Sequence, residues 1–468
     1  MEIIHFSAEC YPVAKVGGLG DVVGALPKYQ NKLGHVAKVV MPAYNTKFLF
    51  ENEFEVVYDG WVRLGYNNLP VRIFREKTNK LGFDLFLVHI AGLLDRDKVY
   101  GYDDDTERFI AYQIASLDWI AQWEHKPDVI HCHDHHTGLI PFMLANSHKY
   151  SHLSYVPTVL TIHNGQYQGQ FGWDKLHYLP AYDLRNSSKL DWASAINPLA
   201  SAIKCAWRVT TVSQSYLDEI SHKANGLESL LAQERGKSVG ILNGIDNEVW
   251  NPQKDAMLTK GFNNRTVESG KKANKDQLCE IFNLDKSKPL FTFIGRLVGE
   301  KGADLLPDIF HNALYQSDGE LNILVLGSGD THVEDRLNDI TNHYPGKYNA
   351  YIGYNETLSH QIYAGADFLL MPSRVEPCGL NQMYALRYGT IPIVRRIGGL
   401  KDTVIDIGDG GFGICHDQTS VWDVGDAIGR AYHLYQDQKR MKEIKKFIMG
   451  IDHSWDSAAQ QYINLYQM

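Results

Sequence analysis

Four groups of residues in this chain have the types and spacing to do chemistry. Lys15-Val16-Gly17-Gly18-Leu19-Gly20-Asp21 follows a short apolar run and precedes a helix-like stretch. Glycines let backbone N–H groups approach an anion closely, and a helix start adds partial positive charge. Lys15 can add a point charge to the same anion. A tight turn with no ligand fits these residues too. The loop lacks the Gly-Lys-Ser/Thr of a Walker A sequence, and it does not match Gly-x-Gly-x-x-Gly. Phe293 to Gly302 carries two cations, Arg296 and Lys301, at the end of an apolar run. Arg296 can hold phosphate oxygens through two parallel hydrogen bonds, and together the pair could neutralise a departing diphosphate. Pro372 to Leu380 is a loop restrained by two prolines, with a helix predicted to begin near Gly379. There Glu376 could accept hydrogen bonds from sugar hydroxyls, or it could simply answer the helix dipole.

The fourth group, His131-Cys132-His133-Asp134-His135-His136, is the densest polar cluster. It comes close to the His-x-His-x-Asp-His pattern of metallo-hydrolases. Its fifth position is histidine rather than aspartate, and no second ligand group follows at suitable spacing, so metal is the weaker reading. The other reading is a strand end that carries Asp134 into a site. His163 closes the next apolar run in the same way, and polar strand ends are what an α/β cleft uses. Asp103-Asp104-Asp105 reads as an exposed turn.

The elements that must position these groups are those of an α/β protein. Short apolar runs alternate with longer helix-like stretches, which implies parallel sheets. Strands are predicted at 3–7, 36–41, 84–89, 129–131, 158–162 and 208–212, then at 290–294, 322–326, 349–352, 368–371 and 391–394. Predicted helices include 107–122 and 199–205. A chain of 468 residues is too long for one ordinary core. The domain border is placed at the Asn243-Gly244-Ile245-Asp246 turn, with the polar stretch from Asn251 to Lys275 as part of the crossing. This gives domains 1–244 and 245–453, with a helical segment 454–468 free to return to the first. One internal echo stands out: residues 16–23 resemble residues 397–404, either as two chance glycine turns or as two similar halves. The formal charge is −9 with no long basic block, which argues against a nucleic-acid partner. Six scattered cysteines, no leader-like start and no long apolar run suggest a cytoplasmic protein with no membrane partner.

Taken together, these segments resemble the bacterial-type starch and glycogen synthases. The matching motifs are Lys15 to Leu26, His131 to Gly138, Thr161 to Asn164, Val209 to Ser213, Gly240 to Asp246, Gly295 to Gly302, Tyr354 to Glu356, Pro372 to Leu380 and Tyr384 to Leu400. The resemblance implies a GT-B fold, two Rossmann-like domains facing a deep cleft, with the final helix returning to the first domain. It implies transfer of glucose from ADP-glucose to the non-reducing end of an α-1,4-glucan, with retention, no metal and no further cofactor. By motif position, Lys15, Gly17, Gly18, Asp21 and Asn243 would lie at the donor, and Tyr354 would stack near the adenine. Arg296 and Lys301 would stabilise the leaving diphosphate. Glu376 would hold the transferred glucose with the backbone of Cys378, Gly379 and Leu380, and Asp134 and His163 would line the reacting centre. Attack from the face of the departing phosphate is favoured, since the resemblance supplies no undisputed nucleophile.

The chain departs from the family pattern at Val16, at His135, at Gly165-Gln166 and at Asn381, where threonine is usual. Two other readings stand beside the synthase: a related retaining enzyme using UDP-glucose or a small acceptor, and a glucan- or nucleotide-binding protein without catalysis.

Overall fold

The computed structural model describes residues 1–223 and 225–468. It divides into two compact units, 1–242 with 455–468, and 243–454. The first has a nine-stranded sheet: β1 (Glu2–Phe6), β2 (Val36–Pro42), β3 (Phe54–Leu64), β4 (Asn67–Glu76), β5 (Asp84–His89), β6 (Val129–His133), β7 (Thr158–Ile162), β10 (Arg208–Thr211) and β11 (Ser238–Gly240). A two-stranded hairpin, β8 (Asp191–Trp192) and β9 (Ala195–Ile196), lies outside it. The sheet order is β11-β10-β7-β6-β1-β2-β5-β4-β3. All pairings are parallel except those of β4, which runs antiparallel to β3 and β5.

The second unit holds β12 (Leu290–Leu297), β13 (Asn322–Gly329), β14 (Tyr348–Ile352), β15 (Phe368–Met371), β16 (Ile391–Arg395) and β17 (Ile414–His416). Their order is β14-β13-β12-β15-β16-β17, all parallel. Counted along the chain this is 3-2-1-4-5-6, the Rossmann order, whose direction reverses between β12 and β15. The parallel part of the first sheet follows the same plan, with its reversal between β1 and β6. The expected α/β class of two Rossmann-like units is therefore present in both halves.

The continuous apolar runs became buried parallel strands, as at β7 and β15. The β3–β4 hairpin escaped prediction because most of its residues are at least partly exposed and charges such as Glu55, Asp59, Arg72 and Arg75 interrupt its apolar pattern. Strands β11 and β17 are too short to announce themselves.

One expectation is corrected, and one open alternative is decided. The polar stretch from Asn251 to Lys275 is not a linker, because its end lies in the Val267–Ile281 helix of the second unit. Lys271 there is buried, and its Nζ donates to the carbonyls of Tyr363, Ala364 and Tyr388 and to Thr390 Oγ1. Burial holds this ammonium well below the usual lysine range. The echo between 16–23 and 397–404 is not a repeat of equivalent positions either. The first glycine turn follows β1, the first strand of its sheet, whereas the second follows β16, the fifth of its own.

The Trp455–Tyr466 helix belongs to the first unit. Trp455, Ala459, Tyr462 and Ile463 are buried in one apolar cluster with Ile3, Val22, Leu26, Val129 and Val159.

Candidate active site

In both sheets the polar groups singled out above gather where the strand order reverses, at the carboxyl ends of the strands. In the first unit, β1 leads into the loop that contains Lys15 to Asp21. The helix Gly18–Lys32 starts at Gly17 with no side-chain cap, so its first N–H groups remain donors. A Cβ added to Gly17 or Gly18 would meet nothing within 4 Å. These glycines keep space clear rather than satisfying an unusual backbone angle, since Gly17 is extended at φ −148°. Lys15 Nζ donates to Asp21 Oδ1 at 2.8 Å.

Sequence reasoning missed the group that shapes this loop. Glu9 is buried, and its Oε2 accepts from the backbone N–H of Val16 at 2.7 Å and of Gly17 at 3.0 Å. Tyr100 donates its hydroxyl to Glu9 Oε1 at 2.6 Å. The N–H groups of Val16 and Gly17 thus already serve an internal anion. The donors left for an external phosphate belong to the helix start at Gly18 and to Lys15. The available signal was an acidic residue three positions past a buried strand, a place where a lone carboxylate must find partners.

Asp134 ends β6 with φ +59° and His163 ends β7. They meet directly: the His163 backbone N–H donates to Asp134 Oδ1 at 2.7 Å. Burial pushes the Asp134 carboxyl up to about 7 and holds the His163 imidazole down at about 3. The rest of the histidine run packs inside the unit. His135 lies tilted against His136 with ring centroids 3.7 Å apart, and His136 stacks on Tyr100 at 4.7 Å. His131 and His133 are buried beside His5, with ligand atoms within 4.8 Å of one another. Their ring nitrogens are engaged by protein partners described below. Asp103-Asp104-Asp105 is more than an exposed turn, since Asp104 pairs with Arg96 and Asp105 with the buried Arg108.

In the second unit the loops after β12 and β15 interlock. Lys301, at the end of the short 3-10 turn Gly299–Lys301, donates to both oxygens of Glu376, at 2.7 and 2.6 Å. Ser373 Oγ donates to Glu376 Oε2 at 2.9 Å. The cation assigned to phosphate and the carboxylate assigned to sugar therefore neutralise one another. Arg296 lies at the end of β12 with its side chain 63% exposed and only a 3.8 Å contact to Glu300. Asn381, where the family has threonine, donates its amide to the Ile294 carbonyl at 2.8 Å and so ties the start of its helix to β12.

Glycines permit this approach. Gly302 has φ +70°, and a Cβ there would lie 2.5 Å from the Pro372 carbonyl oxygen. Gly398 has φ +48°, and its Cβ would lie 2.0 Å from the Glu376 carbonyl oxygen, while one on Gly399 would lie 2.0 Å from that of Cys378. The second glycine turn of the supposed repeat is thus the backing of the Glu376 loop. Gly379 is left-handed at φ +74°, and the helix begins at Asn381, two residues later than expected. Asn243 is buried with its Oδ1 lacking a hydrogen-bond partner among the described residues. Tyr354, just past β14, is 85% exposed.

A doubly wound sheet whose reversal point gathers cations, helix-start donors and a carboxylate defines a class of proteins that bind phosphate-bearing ligands. Comparison with known proteins narrows this class. Residues 2–233 match the family model described as starch synthase catalytic domain, and residues 274–446 match that of glycosyl transferases group 1. The chain is 58% identical to the glycogen synthase of Flavobacterium johnsoniae, covering all of this chain and 99% of that protein. It is 38% identical to that of Streptococcus sanguinis, again over all of this chain and 99% of that one. The solved catalytic domain of Arabidopsis thaliana starch synthase IV, bound to ADP and acarbose, superposes with TM-score 0.88 at 32% identity. It covers 99% of this chain and 98% of that one. The sucrose-phosphate synthase of Thermosynechococcus elongatus shares the fold alone, with TM-score 0.63 at 16% identity, covering 100% of this chain and 98% of that one. The chain belongs to the starch and glycogen synthase family of glycosyltransferases. Among the described residues, no helix is long and apolar enough to cross a membrane.

Two predictions follow from this geometry. Gly398→Ala is expected to push the Glu376 carbonyl away and to cost about 2–4 kcal/mol through strain and overpacking. Urea unfolding measures the loss, and an unchanged midpoint would refute the packing argument. Asp134 makes a pH-dependent contribution. Its carboxyl titrates about 7 when folded but about 3.9 when unfolded. Between those values the folded protein holds a proton that the unfolded chain releases. The stability linked to this group is full below the lower value and is lost as pH rises through the higher one. Asp134→Asn keeps an acceptor for His163. Its unfolding midpoint, relative to the unaltered protein, should therefore rise between about pH 5 and about pH 8.

Proposed function

We propose that this protein transfers glucose from ADP-glucose to the non-reducing end of an α-1,4-glucan with retention of configuration. The observation that carries the reading is the Lys301–Glu376–Ser373 assembly at the sheet's reversal point, held by the family's loop in a chain 58% identical to a glycogen synthase throughout its length. The adenine nucleotide is supported by the ADP in the starch synthase IV structure.

In this reading the second unit holds the donor. Arg296 and Lys301 take the developing charge of the leaving diphosphate, which is electrostatic stabilisation of the transition state supplied by fixed cations. Donor binding would turn Lys301 partly from Glu376 toward phosphate, leaving Glu376 to accept from hydroxyls of the transferred glucose. The N–H groups of Cys378, Gly379 and Leu380 stand on the same loop, the exposed Tyr354 offers a face for adenine, and the unsatisfied Oδ1 of Asn243 offers an acceptor. In the first unit, Lys15 and the clear space at Gly17 and Gly18 can meet phosphate, with Asp21 close by as the partner of Lys15, and Asp134 and His163 can meet sugar hydroxyls.

Attack from the leaving group's face fits the state of the carboxylates. Both oxygens of Glu376 are occupied by Lys301, and Oδ1 of Asp134 is held by a backbone N–H. Since the family resemblance offers no undisputed nucleophile, the departing phosphate would take the acceptor's proton. A glucosyl adduct trapped on either residue and seen by mass spectrometry would overturn this route.

The activity is tested with ADP-glucose or UDP-glucose, glycogen and EDTA. Glucan extension from ADP-glucose, undiminished by the chelator, is expected. Glu376→Gln retains the loop's packing and should lower turnover at least about a hundredfold, the scale of losing one transition-state contact in a closed site. Nucleotide release without extension, preference for UDP-glucose, or a fully active variant would each count against the assignment.

A further inference from the structure

Behind Asp134, the interior of the first unit contains a continuous chain of hydrogen bonds that the reaction outlined above does not use. It centres on Gln30, which is fully buried in the Gly18–Lys32 helix. On one side, Gln30 Oε1 lies 2.7 Å from His5 Nε2, His5 Nδ1 lies 3.0 Å from His133 Nε2, and His133 Nδ1 lies 2.9 Å from His163 Nε2. On the other side, Gln30 Nε2 donates to the Tyr466 hydroxyl at 3.1 Å, and that hydroxyl lies 2.6 Å from His131 Nδ1. His131 Nε2 is 2.6 Å from Thr161 Oγ1, which is 2.6 Å from Thr210 Oγ1, and Thr210 donates to the Leu160 carbonyl at 3.3 Å.

Burial favours the neutral form of all four rings. It lowers His5 to about 4 and His163 to about 3, and it holds His131 and His133 well below the usual histidine range. A neutral imidazole has one N–H and one lone pair, so each ring's tautomer is dictated by its neighbour. The amide oxygen of Gln30 can only accept, so His5 carries its proton on Nε2 and offers Nδ1. His133 must then donate from Nε2 and offer Nδ1 in turn. His163 must do the same. On the other side the amide N–H₂ donates to Tyr466, which passes its own proton toward His131 Nδ1. His131 therefore donates from Nε2 to Thr161. Reversing every contact would require exchanging the oxygen and nitrogen of Gln30, and it would withdraw the Thr210 proton from the Leu160 carbonyl.

We propose that Gln30 is a positioning residue that fixes His163 as the Nε2–H tautomer and leaves its Nδ1 as a hydrogen-bond acceptor for a hydroxyl of the transferred sugar. The sugar's identity rests on the glucosyl-transfer reading, whereas the tautomer rests on the chain alone. The residue would act through two intervening rings without touching substrate. An acceptor at that position takes the hydroxyl's proton, whereas the other tautomer would donate to the hydroxyl oxygen and reverse the hydrogen bond.

The test uses the whole protein labelled with ¹⁵N-histidine, without substrate, in a two-bond ¹H–¹⁵N correlation experiment that reports which ring nitrogen bears the proton. His5, His131, His133 and His163 are all expected to be Nε2–H. Gln30→Met should mix the tautomers of His5, His133 and His163 and lower kcat/KM for glucosyl transfer about tenfold, the scale of one net hydrogen bond. An Nδ1–H ring at His163 in the unaltered protein overturns the proposal, and this measurement needs no variant. Unchanged tautomers or unchanged transfer in Gln30→Met overturn it as well. Failure of the glucosyl-transfer reading would show separately, as four Nε2–H rings in a protein that uses no sugar nucleotide.

Discussion

The second unit's site depends on one ion pair. Glu376 is nearly buried, and a buried carboxylate is tolerated only when a cation or several donors answer it. The answer comes from Lys301, 75 residues earlier on a different loop, with Ser373 as a further donor. Removing one partner of such a pair typically costs about 3–5 kcal/mol, because the other is left buried and alone. The neighbouring backbone is arranged accordingly. Gly302 lets the Lys301 turn close on Pro372, and Gly398 lets the following helix close on Glu376.

The first unit meets the same requirement in another way. Glu9 and Asp134 are buried carboxylates held mainly by backbone N–H groups instead of lysine or arginine. Glu9 has two such donors and a tyrosine hydroxyl, and it organises the glycine loop from within. The donors to Asp134 do not offset its burial, and its carboxyl rises to about 7.

Much of the fold was readable because parallel strands buried on both faces must be continuous apolar runs, as at β7, β12 and β15. The charged β3–β4 hairpin carries no such signature. Arg296, Lys301, Glu376, Asp134 and His163 were legible as polar residues at predicted strand ends, where α/β sheets gather ligands. What could not be read was pairing across sequence distance. Nothing local says that Lys301 meets Glu376, that Glu9 occupies the N–H groups of Val16 and Gly17, or that Gly398 lies under the Glu376 loop. The histidine cluster shows the limit well. Alternation along a strand puts His131 and His133 on one face, yet their partners His5, Gln30 and Tyr466 come from three other parts of the chain.

The return of the Trp455–Tyr466 helix to the first unit has a consequence for the order of events during synthesis. A ribosome emits the nine strands of the first unit's main sheet long before that helix, with the whole second unit in between. Until those last residues emerge, the apolar cluster around Ile3, Val22 and Val129 lacks one wall, and Gln30 lacks the hydroxyl of Tyr466. The first unit therefore cannot finish its core before residues 455–468 emerge, although domains commonly fold as they appear. Completion of its interior waits on completion of the second unit, so a prematurely terminated chain would lack the finished histidine network beside His163.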